Sequence, residues 1–301
     1  MGERPIARRR PGRLSAGHAS RLAAQLTARD LRIALDCYDH RALTTEQLQR
    51  LHFRSLRVAQ RRLGELHALR VLERFRPPWQ PGQGSSPYHW TLDEAGARVV
   101  AALLEIPREQ VAWSRDSTLA LAGSSKLAHL LAVNEFFTRL AAEAAEAGGA
   151  LRDWWGERRA AAAFGGALAP DGYGRVELGR RSLPFLLELD RGSEPHARLQ
   201  EKARRYAREL PASDLAAQQP LPLLLVPSAA RAARATAELG SETLIAKVWT
   251  PTDGGSPLAL LRDAHAERSH HSRSPGQPLA DRTDTEETDA TDLAPPPAPH
   301  A

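Results

Sequence analysis

The stretch PDGYGRVELGRRSLPFLLELDR, residues Pro170–Arg191, decides how the chain is read. Its turn signal, Gly179-Arg180-Arg181, separates Val176–Leu178 from Ser182–Asp190 and makes the two runs paired strands. Side chains two apart on a strand share a face, so Glu188 and Asp190 project together, flanked by the apolar run Phe185, Leu186 and Leu187. Two acids at the end of a buried strand are costly without a cation beside them. If Asp171 lies next to them on the paired strand, three carboxylates converge on a set of oxygens that suits magnesium.

The flanks supply the rest of a mixed sheet. Lys126–Ala147 has helical periodicity and stops at Gly148-Gly149. Glu135 in its middle is either solvated or a fourth carboxylate over the metal site. Leu151–Arg159 reads as a strand and Ala160–Ala169 as a loop of small residues. After Gly192-Ser193 a helix is expected over Pro195–Leu210, with Leu199, Ala203, Tyr206 and Leu210 on its apolar stripe and Lys202 on the flank. Leu221–Val226 is continuously apolar, as in a strand buried on both faces. A helix over Ala229–Leu239 and a strand over Thr243–Trp249 complete a unit spanning 126–250. The composition of 251–301 reads as a disordered tail, in which His265, His270 and His271 lack the partners of a metal site.

Upstream, residues 1–25 read as a disordered basic arm. A helical stripe follows at Leu31, Ala34, Leu35 and Tyr38, and Thr44 with Gln47 opens a second helix as a capping box. A third helix, Ser55–Leu69, has Leu56, Ala59, Leu63 and Leu66 inside and Arg57, Gln60, Arg61 and Gly64 outside. A strand over Val71–Phe75, a Gly/Pro-rich loop over Pro77–Pro87, a returning strand with Tyr88, Trp90 and Leu92, and a helix over Asp93–Glu105 follow. Three helices and then a hairpin is the order of a winged helix-turn-helix, here over 26–106. In that fold the third helix enters the major groove of DNA. The candidate DNA contacts are Arg54, Ser55, Arg57, Gln60, Arg61 and Arg76. The same fold also serves protein contacts. Residues 107–125 read as a linker.

Composition agrees with two modest domains. The 301 residues are 42% hydrophobic and carry a net charge of +5, which suits a polyanionic partner such as double-stranded DNA. Lys126, Lys202 and Lys247 are the only lysines in an arginine-rich chain, so a lysine carries more information than an arginine. The single cysteine, Cys37, excludes a disulfide framework and suits a cytoplasmic protein. No run is apolar enough to span a membrane, so no membrane partner is expected.

Pro170-Asp171 followed by Glu188-Leu189-Asp190 resembles the motif of restriction-endonuclease-like folds, Pro-Asp and then Asp or Glu, any residue, Lys. The fold class expected is therefore α+β or α/β, a winged helix-turn-helix followed by a restriction-endonuclease-like mixed-sheet domain. The ordered chain also resembles the replication-relaxation family of actinobacterial and plasmid-borne proteins, through LTARDLRIALDCYDHRALTTEQLQRL (26–51), HLLAVNEFFTRL (129–140), PDG followed by FLLELDRG (185–192), and KARRY (202–206). The resemblance implies a DNA-associated protein of plasmid or mobile-element replication or transfer, with replication or transfer proteins or a second copy of the chain as partners. By the nuclease pattern, Asp171, Glu188 and Asp190 hold Mg2+ and are catalytic together with a lysine. The lysine's position is occupied by Asp190, and Lys202 is the substitute. The functional readings are a DNA-binding factor with a degenerate nuclease-like domain, a Mg2+-dependent DNA endonuclease or nickase, and a transcription regulator.

Overall fold

A computed structural model describes residues 22, 25–76, 87–192, 195–239, 244–253 and 255–271. The architecture is mixed α+β, with helices and two sheets. The basic arm (residues 22 and 25 apart), the loop tip 77–86 and the end of the tail, 272–301, lie outside the described residues.

The N-terminal unit begins with α1 (Ala28–Asp39), where Thr27 and Asp30 form a capping box. Its buried stripe is Ile33, Ala34 and Cys37, with Leu35 and Tyr38 half-buried beside it. A short strand, β1 (Leu43–Thr44), leads into α2 (Thr45–His52), which is opened by the expected Thr44–Gln47 capping box. In α3 (Leu56–Ala68), Ala59, Leu63 and Leu66 are buried. Leu56, expected inside, is 40% exposed. It shares Leu63's angular position, but residues 54–58 at the start of the helix are all exposed. Strands β2 (Leu72–Phe75) and β3 (His89–Leu92) pair antiparallel, and β1 joins the other side of β3. The buried Trp90 indole donates to Thr45 Oγ1 at 2.9 Å, tying the sheet to α2. Helix α4 (Glu94–Leu103) packs on α1.

The expected linker is a packed connector. Residues 107–125 contain a 3-10 turn, Arg108–Gln110, and a capped helix, α5 (Arg115–Ala122). Val111 and Leu121 are buried, and the Trp113 indole donates to the Leu92 carbonyl at 2.7 Å.

The second unit is built on a five-stranded sheet of order β4-β5-β6-β7-β8. Helix α6 (Leu127–Glu146) precedes β4 (Ala150–Gly156). The strand expected to reach Arg159 ends at Gly156, because the alanine-rich run behind it forms α7 (Glu157–Ala163) where a loop was expected. Strands β5 (Gly172–Leu178) and β6 (Arg181–Leu189) form an antiparallel hairpin, with Gly179 at φ +59 in the turn. Helix α8 (His196–Glu209) leads to β7 (Leu221–Val226), which lies parallel to β6. After α9 (Ala229–Leu239), β8 (Ile245–Val248) adds parallel to β7. Phe185, Leu187 and Leu189 face the α6 side of the sheet, whereas Leu186 packs with Tyr206 of α8.

The tail was expected from residue 251, but its described part is largely helical. Helix α10 (Pro257–His271) packs on α6 and buries Leu258, Leu261 and Ala264. Glu143 anchors its start, accepting from Ser256 Oγ at 2.7 Å and from Leu258 N at 2.9 Å. No described helix is long and apolar enough to cross a membrane.

The two units are joined through α2 and α6. Buried Asn134 donates from one amide to the carbonyls of His40 (3.2 Å) and Ala42 (2.8 Å). Arg50 forms a two-pronged pair with Glu135 at 2.9 and 3.2 Å. Glu135 is thus part of this junction, not a carboxylate over a metal site. The rings of His40 and Trp154 stack 3.4 Å apart, 12° from parallel. At Gly156 a Cβ would lie 3.0 Å from the Asp39 carbonyl, so glycine permits this approach.

Candidate functional site

Two groups of residues carry chemistry. The first is the outer face of α3. Arg54, Ser55, Arg57, Gln60 and Arg61 are all exposed, and Arg76 is exposed at the end of the hairpin strand. Arg61 has a long contact to Glu65, 3.8 Å, which leaves its guanidinium largely in solvent. Arg62, one residue on, is structural. It holds the buried Asp30 with Nε–Oδ1 2.9 Å and Nη2–Oδ2 2.5 Å, fixing α3 against the start of α1. The exposed arginines therefore stand on a braced helix.

The second group lies at the end of β6 and the start of β5. Asp171 Oδ2 accepts from Leu189 N at 2.8 Å, and Oδ1 pairs with His129 Nε2 of α6 at 2.9 Å. Glu188 projects to the face that packs on α8, alongside Leu186. Its Oε2 accepts from Lys202 Nζ and its Oε1 from Tyr206 Oη, each at 2.8 Å. The helix that carries Lys202 and Tyr206 crosses that face, and their spacing of four residues stacks both side chains over one point. Burial, reinforced by the Asp171 charge, pushes the Glu188 carboxyl up to about 7, against the pull of Lys202. The hydrogen bond to Asp171 raises the His129 imidazole above its ordinary value, against burial.

Asp190 shares the face of Glu188 but has a separate environment. Its Oδ1 accepts from Gly192 N at 2.8 Å and its Oδ2 is paired with Arg231 of α9. The structure brings Asp171, Glu188 and Lys202 together and turns Asp190 toward Arg231. All six oxygens of Asp171, Glu188 and Asp190 accept from the protein's own donors. Among the described residues no three His, Cys, Asp or Glu side chains are grouped to hold a metal ion. The triple-carboxylate magnesium centre expected from the strand pattern does not fit this arrangement.

His129, Tyr206 and Arg231 were not singled out from the sequence. Tyr206 counted as a stripe residue, although a buried tyrosine hydroxyl needs a partner and points to a nearby polar group. Nothing local marks His129 or Arg231, since their partners are distant in sequence.

Residues 31–218, more than half of the chain, match the model of the replication-relaxation family. The chain belongs to this family. The matched span runs from α1 to the 3-10 turn before β7, so it includes the α3 face, the β5–β6 hairpin and Lys202. Arg231 lies beyond it. No curated protein and no solved structure matches the chain.

Proposed function

We propose that the chain is a double-stranded-DNA-binding protein of plasmid or mobile-element replication or transfer. In this reading the N-terminal unit is a winged helix-turn-helix that lays α3 in the major groove. The C-terminal unit is a restriction-endonuclease-like scaffold whose carboxylates have become structural. The observation that carries the reading is the exposed row Arg54, Ser55, Arg57, Gln60 and Arg61 on α3, with Arg76 at the neighbouring hairpin. Arginine and glutamine at these positions reach phosphates and base edges. Membership of the replication-relaxation family supports the replicative setting.

Equilibrium binding of the full chain to duplex DNA, followed by fluorescence anisotropy over a range of salt, tests it. The expected outcome is binding that weakens linearly in log–log form as salt rises. Absence of binding at low salt contradicts it.

A second reading has its own observation. Asp171 and Glu188 are close enough for their charges to interact, and Lys202 reaches Glu188 from α8. A Mg2+-dependent endonuclease or nickase would use these residues. Supercoiled plasmid incubated with Mg2+ or Mn2+ separates the readings. Intact plasmid is expected, and nicking abolished by Asp171→Ala and Glu188→Ala would favour the enzyme. Sequence-specific binding at a promoter, without any effect on replication or transfer, would favour a transcription regulator.

A further inference from the structure

One face of the three-stranded sheet carries a cavity that borders the α3 face and shares Gln60 and Arg76 with the residues assigned above to groove reading. The register opposes Arg74 to Trp90 and Phe75 to His89, and continued by one residue it sets Arg76 opposite Tyr88. Strand alternation then places Arg74, Arg76, Tyr88 and Trp90 on one face. A cavity of about 260 Å3 opens there, lined by these four together with Glu46 of α2 and Gln60 of α3. The Arg76 guanidinium lies 3.9 Å from the Tyr88 ring centroid and that of Arg74 4.3 Å. Arg74 is also 5.9 Å from the Trp90 ring.

The lining has three chemical parts. Two cations held against one ring repel each other, and an anion beside them relieves the repulsion. Aromatic and guanidinium planes accept a flat π-system by stacking. Glu46 accepts hydrogen bonds and donates none, while the Gln60 amide does both. The volume lies just below that of drug-sized pockets, which begin at about 300 Å3.

The geometry points to a nucleotide site. The base stacks on the exposed plane of the Arg76 guanidinium, which Tyr88 backs at 3.9 Å, its phosphate meets Arg74, and its N–H edge is read by Glu46. Guanine fits best, because its N1–H and N2–H2 present adjacent donors to a carboxylate. Such a ligand has two sources. One is a nucleotide left unpaired or swung out beside the duplex on α3, and this source rests on the DNA-binding reading. The other is a free nucleotide. In the first case the protein prefers DNA with an unpaired residue, because extrusion is least costly where pairing is already absent.

The test uses the full chain. Anisotropy compares a fully paired duplex with one carrying a single unpaired guanosine, and calorimetry measures binding of guanosine monophosphate. With the DNA source, the unpaired duplex binds about tenfold more tightly, Tyr88→Ala brings the ratio close to one, and Tyr88→Phe keeps it. With the free source, guanosine monophosphate binds, Tyr88→Ala weakens it, and the two duplexes do not differ. If Tyr88→Ala does not fold, Glu46→Gln serves, and loss of the guanosine preference over thymidine is expected. Equal binding of both duplexes together with no nucleotide binding overturns the proposal, as does a preference unchanged in Tyr88→Ala or Glu46→Gln. Failure of all DNA binding refutes the DNA-binding reading, and the calorimetric arm then decides the pocket alone.

Discussion

Acid should loosen the junction between the two units through one residue, His40. Its ring is buried against Trp154, and its Nδ1 has no hydrogen-bond partner among the described residues. Burial lowers its pKa from 6.5 to about 4, helped by Arg159 and opposed by Asp36. The folded state therefore holds the imidazole neutral where the unfolded chain would protonate it. A depressed histidine pKa gives stability that is fully present above pH 6.5 and is lost as pH falls toward 4. Between pH 8 and pH 5 this amounts to about 2 kcal/mol, at about 1.4 kcal/mol per pKa unit. His265 shifts in the same direction, whereas Glu188 and His129 shift upward and favour the folded state at lower pH. The wild-type profile alone mixes these groups. His40→Phe keeps a flat ring against Trp154 and removes the proton site. Urea unfolding of both proteins at pH 8 and pH 5 is the assay. The wild type should lose about 2 kcal/mol more than His40→Phe over that interval. Equal losses would refute the reasoning.

The remaining expectations concern the buried polar groups. Lys202→Met leaves Glu188 with Tyr206 as its remaining side-chain donor and should lower stability by about 2 kcal/mol, while Lys202→Met with Glu188→Gln recovers most of it. Denaturant unfolding checks this, and a double variant no better than the single one would contradict it. Asn134→Ala removes both amide bonds to the His40 and Ala42 carbonyls and should cost about 1–3 kcal/mol. Its amide hydrogen exchange should rise first in α2 and the start of α6.

Local signals were legible and distant pairings were not. Thr44 with Gln47 announces α2, and the Gly179 turn announces the β5–β6 hairpin, because both devices are written in a few consecutive residues. Glu188 and Asp190 were correctly read as buried on one strand end. Their partners were not, since Lys202, Tyr206 and Arg231 arrive on helices whose crossing of the sheet is set by packing. Asp190 illustrates the consequence: shared orientation with Glu188 does not mean a shared ligand when a cation is closer. Helix α10 was missed because its composition is polar, and its burial rests on the few apolar residues that meet α6. Glu135 read first as a solvated helix face, with a fourth carboxylate as the sharper option, until α2 supplied Arg50.

The exposed arginines of α3 carry the central claim, and the salt dependence of duplex binding tests them most directly. Affinity of the wild type and of Arg57→Ala with Arg61→Ala should be measured by anisotropy at several salt concentrations. Both residues are exposed, so the fold should tolerate the change. The expected result is weaker binding by the double variant and a log–log slope shallower by about two. Unchanged affinity and slope would contradict the assignment of α3 as the DNA-reading helix.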